Sequence, residues 1–201
     1  MPPGKGHLEN LPALVSEALE DSNLSLGQVD AFAAALGPGS FSGVRIGLAA
    51  IKGYCLALSK PIVGISSLDI LLYQAAFDAD SAIAVIDAGR QDVYAGYAKS
   101  IGDRVPLIIN PVTLAMMDFP MHFEEVMRRP TVICGDHVIE KLVINPETTE
   151  LRMVEVPLPS VCGILAHHRI LASGFDDVFL LNPLYMRKSD AERNASRSVS
   201  A

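Results

Sequence analysis

Apolar positions in this chain recur with helical spacing at first and then with the shorter period of strands. Leu8, Leu11, Leu14, Val15, Ala18 and Leu19 lie three or four apart, with Glu9, Glu17 and Glu20 between them. That spacing predicts an amphipathic helix over 8–21. Pro12 fits only in a first turn, which moves the expected start toward Leu11. DAFAAAL at 30–36 reads as a short buried strand, and GPGSFSG at 37–43 continues neither element. The Ser42 hydroxyl is placed to cap the helix that follows.

That helix, 43–58, has apolar residues on more than one stripe. Gly43, Gly47, Ala50 and Ala57 line one side with Gly53 beside them, and Val44, Leu48, Ile51 and Cys55 fill much of the rest. Its only charges, Arg45 and Lys52, are seven apart and share a side. So little polar surface requires contact on two sides, and the small residues admit a close neighbour. Pro61 opens a strand over 62–65. Ser66 and Asp69, at capping-box spacing, start a helix reaching about Phe77. Helix–strand–helix–strand–helix over the first 78 residues implies parallel strands covered by helices.

Beyond Ala79 the pattern changes. SAIAVID at 81–87 and DVYAGY at 92–97, separated by AGRQ, are a hairpin signal. A short helix is expected over 121–128, a strand over 131–134 and a helical segment near 138–142. A strand over 153–156 and a helix over 160–172 follow. The tail after Asn182 turns polar and is expected to fray beyond Arg193. Two lobes result, 1–78 and 79–183, with a C-terminal tail at 184–201.

Composition narrows the function. The 201 residues are half apolar and 19% charged, enough for a real core. Sixteen Lys and Arg against 23 Asp and Glu leave a net charge of −7, which argues against a broad nucleic-acid-coating surface. Cys55, Cys134 and Cys162 are odd in number and far apart, as buried thiols of a reducing compartment are. MPPGKGHLEN has no signal-peptide core, and no uncharged run reaches the roughly 18 residues of a membrane span. The expectation is a cytoplasmic protein without membrane contact.

Candidate chemistry is sparse. GPGSFSGVRIG matches neither GxxxxGK(S/T) nor GxGxxG. It reads as a tight strand-to-helix turn, as an anion loop at a helix start, or as a packing site where Gly43 and Gly47 admit a neighbouring helix. Packing is favoured. His7, His122 and His137 are isolated, and adjacent His167 and His168 do not share a helix face, so no metal pair is visible. Asp87, Arg90 and Asp92 flank the hairpin, either as a solvated end or facing a cleft between lobes. No catalytic residue is assigned, and no cofactor.

Taken in order, these segments resemble the bacterial TsaB (YeaZ) family. LGPGSFSGVRIGLAAIKGYCLAL at 36–58 is close to that family's G-P-G-S-F-T-G-L-R-I-G, with Ser42 in place of Thr. GHLENLPAL at 6–14, PIVGISSLDIL at 61–71, DAGRQDVYAG at 87–96 and NPLYMRKSDAE at 182–192 continue the likeness, which is weakest over 100–180. The resemblance implies an α/β, actin-like (ASKHA), ribonuclease-H-like two-lobed fold. The family's opening three-stranded meander, with its Asp-x-Ser/Thr segment, has no counterpart here, so the first lobe is expected to be incomplete.

The resemblance also implies a non-catalytic subunit of threonylcarbamoyl transfer to N6 of adenosine 37 in tRNAs reading ANN codons. The implied partners are the catalytic subunit TsaD and the ATPase TsaE, with ATP used by the complex, a homodimer as another pairing, and tRNA met through the complex. In such proteins the first two helices form the interface. Carried onto this chain, that face is Leu11, Leu14, Ala18, Gly43, Gly47, Ala50 and Tyr54. The alternative is an independent actin-like nucleotide-hydrolysing enzyme or a metallopeptidase-like protein.

Overall fold

The computed structural model describes residues 7–76, 78–99, 109–154 and 157–186. The chain opens with helix α1 (His7–Asp21), a single 3-10 turn (Leu26–Gln28), strand β1 (Phe32–Ala35) and helix α2 (Phe41–Leu58). Strand β2 (Ile62–Ile65) and helix α3 (Ser67–Ala76) complete the first lobe's own elements. β1 and β2 pair in parallel, Phe32 opposite Ile62 and Ala35 opposite Ile65.

The second lobe is built on β3 (Ser81–Gly89), β4 (Asp92–Lys99) and β5 (Ile109–Ala115), followed by one-turn helices α4 (Phe119–His122) and α5 (Glu124–Met127). Then come β6 (Thr131–Gly135), a 3-10 turn (His137–Lys141), β7 (Thr149–Met153) and helix α6 (Pro159–Ser173). Sheet order is β5-β4-β3-β6-β7. β3, β4 and β5 form an antiparallel meander, while β6 and β7 run parallel to β3.

Alternation along β3 divides its neighbours. Ala82 and Ala84 face α3, where Leu68, Leu71, Leu72 and Ala76 pack with Val132 and Cys134. Small residues on that face let the helix lie close to the sheet. Ile83 and Val85 face the other way, against Phe119, Phe123, Val138 and Ile139. The β3–β4 hairpin turns through Arg90 and Gln91, both left-handed at φ 59° and 65°.

The chain then crosses back. α6 buries Val161, Cys162, Leu165 and Ala166 against Val63, Ile65 and Ile70, on one face of the β1–β2 sheet. α2 covers the opposite face through Leu48 and Cys55, joined by Val178 and Leu181. Residues of 159–181, which follow the second sheet in sequence, thus pack on the first. Asp176 fixes the return: its carboxylate accepts from the Gly64 N–H at 2.8 Å and from Arg169 at 2.6 Å, and Arg169 also donates to the Gly64 carbonyl.

Several expectations need correction. Pro12 lies inside α1 rather than at its start. It is the sixth residue of the helix, so α1 forgoes the bond from position 12 to the Leu8 carbonyl. The cap of α2 is Ser40, which accepts from the Gly43 N–H at 3.4 Å, and Ser42 is already helical. The strand expected over 153–156 runs Thr149–Met153, and Val154 N–H closes on the Gly135 carbonyl; 155 and 156 lie outside the described residues. β5 was not anticipated, because Pro111 interrupts its apolar run; at the sheet edge proline is tolerated. Phe77 and the tail beyond 186 also lie outside the described residues.

Candidate partner-binding face

GPGSFSG folds as a strand-to-helix turn. Gly37 sits at φ +90°, where an L side chain is strained, and a Cβ there would stand 3.4 Å from Val44. The Gly37–Pro38 peptide is cis. The Gly37 carbonyl accepts from Ser67 N–H at 2.8 Å, so the turn also fixes the start of α3. Ser40 takes the Gly43 amide. Gly37 and Pro38 are buried, while Gly39, Ser40, Phe41 and Ser42 are exposed.

α2 has the length and apolar composition of a membrane span. Here its inner face packs on β1 through Leu48 and Cys55 instead. Its outer side carries Ser42, Arg45, Ala49, Gly53 and Leu56, all exposed, with Leu56 52% accessible. α1 packs along α2. Of the residues carried over as interface, Leu14 is 47% accessible and Ala18 is exposed. Leu11, Gly43, Gly47, Ala50 and Tyr54 are half-buried. Tyr54 stacks on Phe32 at 5.8 Å between ring centres. A Cβ at Gly47 would meet nothing within 4 Å, so the surface there is open.

The first turn of α2 holds a cluster that sequence reading missed. The Arg45 guanidinium lies 3.8 Å from the centre of the Phe41 ring and 5.2 Å from that of Tyr185. Its Nε donates to the Tyr185 hydroxyl at 2.7 Å. The two partners come from GPGSFSGVRIG and NPLYMRK, both singled out as motifs, but their contact spans 140 residues and has no local signal. The segment bearing Tyr185 joins the lobes. Leu184 N–H donates to the Leu36 carbonyl at 2.8 Å, and Thr113 of β5 donates to the Met186 carbonyl at 3.0 Å.

The other candidates do not converge. Asp87 accepts from the Gly89 N–H at 2.7 Å, and its own N–H donates to Asp136, so it holds the hairpin and the β6 end together. Asp87, Arg90 and Asp92 line an open cavity of about 730 Å3 with Lys141, Met116 and Met117. Among the described residues no group of three His, Cys, Asp or Glu side chains could hold a metal ion. All three thiols are buried. Burial pushes Cys134 up to about 12 and Cys162 up to about 11, away from any thiolate role near neutrality.

Comparison with known proteins fits this geometry. A family model described as TsaD, tRNA N6-adenosine threonylcarbamoyltransferase, matches residues 3–124. The tRNA threonylcarbamoyladenosine biosynthesis protein TsaB of Haemophilus influenzae is 40% identical over 91 residues, 44% of this chain and 38% of that protein. The matched part of this chain thus spans less than half the length of that relative. An uncharacterized protein of Mycobacterium bovis is 30% identical over 195 residues, 94% of this chain and 78% of its own length. A crystal structure from Pseudomonas aeruginosa, of an uncharacterized protein with similarity to peptidase YEAZ, superposes with a TM-score of 0.76. That pair is 24% identical and covers 91% of this chain and 85% of the other, which speaks to fold. The chain belongs to the threonylcarbamoyltransferase family of that model, within its TsaB/YeaZ group, and has the actin-like two-lobed α/β fold of the YeaZ structures.

Proposed function

We propose that this chain is a non-catalytic subunit that supports threonylcarbamoyl transfer to N6 of adenosine 37 in tRNAs reading ANN codons. The observation that carries the reading is the α1–α2 face on a chain of the TsaB/YeaZ group. α2 buries one side and leaves Ser42, Arg45, Ala49, Gly53 and Leu56 open, a strip of small and apolar residues with a single charge. Leu11, Leu14, Ala18, Gly43, Gly47, Ala50 and Tyr54 flank that opening and are proposed to line the interface. The partner is the related transferase TsaD, with the ATPase TsaE consuming ATP in the assembled complex. The same face serves a homodimer when that partner is absent, and tRNA is met through the complex. The cytoplasm, where tRNA modification takes place, is the proposed location.

Reconstitution tests the reading. Purified chain added to the transferase, ATPase, threonylcarbamoyl-adenylate and unmodified tRNA should raise the yield of modified adenosine. Gly47→Arg should abolish that stimulation with little change in melting temperature, because the side chain enters open space. Stimulation by Gly47→Arg equal to wild type would remove this face from the interface.

A further inference from the structure

α2 carries two charges, Arg45 and Lys52, and no acid, in a chain whose net charge is −7. Arg45 is exposed on the open strip of the helix, in line with Ala49, Gly53 and Leu56. Its guanidinium is nevertheless fixed, by the Phe41 ring on one side and the Tyr185 hydroxyl at Nε. Tyr185 is held in turn by hydrogen bonds to its neighbours' backbone, Leu184 N–H donating to the Leu36 carbonyl and the Thr113 hydroxyl donating to the Met186 carbonyl. Among the described residues nothing accepts from the two terminal nitrogens, and no carboxylate pairs with them.

An arginine on a surface normally holds many rotamers, and a partner must freeze them. Here the freezing is done before binding, and the free edge of the fork presents parallel donors of the kind a carboxylate accepts in pairs. The surroundings select the partner's chemistry. A chain of net charge −7 disfavours a polyanion. The strip in line with Arg45 (Ala49, Gly53 and Leu56) is apolar and uncharged, which fits a protein surface carrying an isolated carboxylate.

We propose that Arg45 is the charged anchor of the α2 face, taking a carboxylate of the transferase subunit, with Phe41 and Tyr185 as its positioning residues. The proposal rests on the partner reading above and adds to it the group that fixes register. Because Tyr185 belongs to the segment joining the lobes, the anchor is set by the far end of the described chain.

The test is binding of the purified transferase at low and physiological salt. Arg45→Met should weaken it about 10- to 100-fold and flatten its salt dependence. Tyr185→Phe should weaken it several-fold through faster dissociation, with the ring still in place. Arg45→Lys adds a chemical readout: carbodiimide should link the introduced amine to a transferase Asp or Glu, which mass spectrometry locates. Unchanged affinity and salt slope in Arg45→Met, with wild type binding normally, would overturn the anchor and leave the face intact. Failure of wild type to bind would remove the partner reading and this proposal with it. Loss of self-association alone would make a second copy the occupant and overturn the assignment to the transferase. Circular dichroism of each variant confirms that it is folded.

Discussion

Replacing Asp176 by Ala should detach the returning segment from the first sheet. Two losses follow from the geometry. The Gly64 N–H, in the middle of β2 and buried, gives up an acceptor at 2.8 Å. An unsatisfied buried amide costs about 1–3 kcal/mol. Arg169 gives up a carboxylate at 2.6 Å. Breaking a fully buried pair costs about 3–5 kcal/mol, but the Arg169 side chain is 39% accessible, so water recovers most of that. Together the change should cost about 2–3 kcal/mol. With a urea slope of about 2–3 kcal/mol/M, the midpoint should fall by roughly 1 M. Asp176→Asn keeps an acceptor for Gly64 while losing the charge, and should fall about half as far. Hydrogen exchange at the Gly64 amide should accelerate in Ala and much less in Asn. A midpoint within 0.2 M of wild type for Asp176→Ala would refute the reasoning, as would equal exchange rates in the two variants.

Two glycines, Gly135 buried at the end of β6 and Gly163 exposed in α6, should behave oppositely. A Cβ at Gly135 would lie 2.1 Å from the Val85 carbonyl oxygen, so Gly135→Ala must separate β6 from β3, at a cost of about 3 kcal/mol or more. A Cβ at Gly163 in α6 meets nothing, and Gly163→Ala should stabilise by up to about 1 kcal/mol; urea midpoints compare the pair. Alkali should unfold the protein through its thiols. Burial pushes the Cys134 thiol from its ordinary value of 9.0 up to about 12, so its contribution is whole below pH 9 and is lost as pH rises toward 12. Cys134→Ala should therefore show a shallower fall in urea midpoint between pH 8.5 and 10.5 than wild type. At the acid end, hydrogen bonds to Arg152 hold the Asp78 and Glu150 carboxyls below their ordinary range. Depressed values stabilise above the unfolded titration and are lost as pH falls through the folded one. Arg152→Met should make the midpoint less sensitive to pH below about 4.5, which titration of the urea midpoint measures.

The elements that could be read in the sequence are those with a clean local period. The amphipathic spacing of α1, the alternation of β3 and β4, and the hairpin at AGRQ all returned near their expected places. β7 did not, because an edge strand with Glu150 and Leu151 both exposed has no alternating signature. β5 was hidden by Pro111. The 37–43 segment offered three readings, and the structure realises the turn through Gly37 and the Ser40 cap. The low polarity of α2 was visible from composition. What composition could not reveal was which side stays open, since that depends on packing against β1 and on Val178 and Leu181 returning from over 100 residues away. The Arg45–Tyr185 contact is the same kind of fact: each residue lies in a recognisable motif, and only the crossing of the chain brings them together.

That crossing has a consequence for synthesis. Val63, Ile65 and Ile70 leave the ribosome roughly a hundred residues before the α6 side chains that bury them. At about 5–20 residues per second, the interval is on the order of 5–20 s. Meanwhile the second sheet already has its meander and Phe119, so it can close first around Ile83 and Val85. The order of domain maturation is then the reverse of the order of translation. The first lobe waits as an apolar, half-covered strand pair, open to chaperones, until the last helix emerges and Asp176 reaches Gly64.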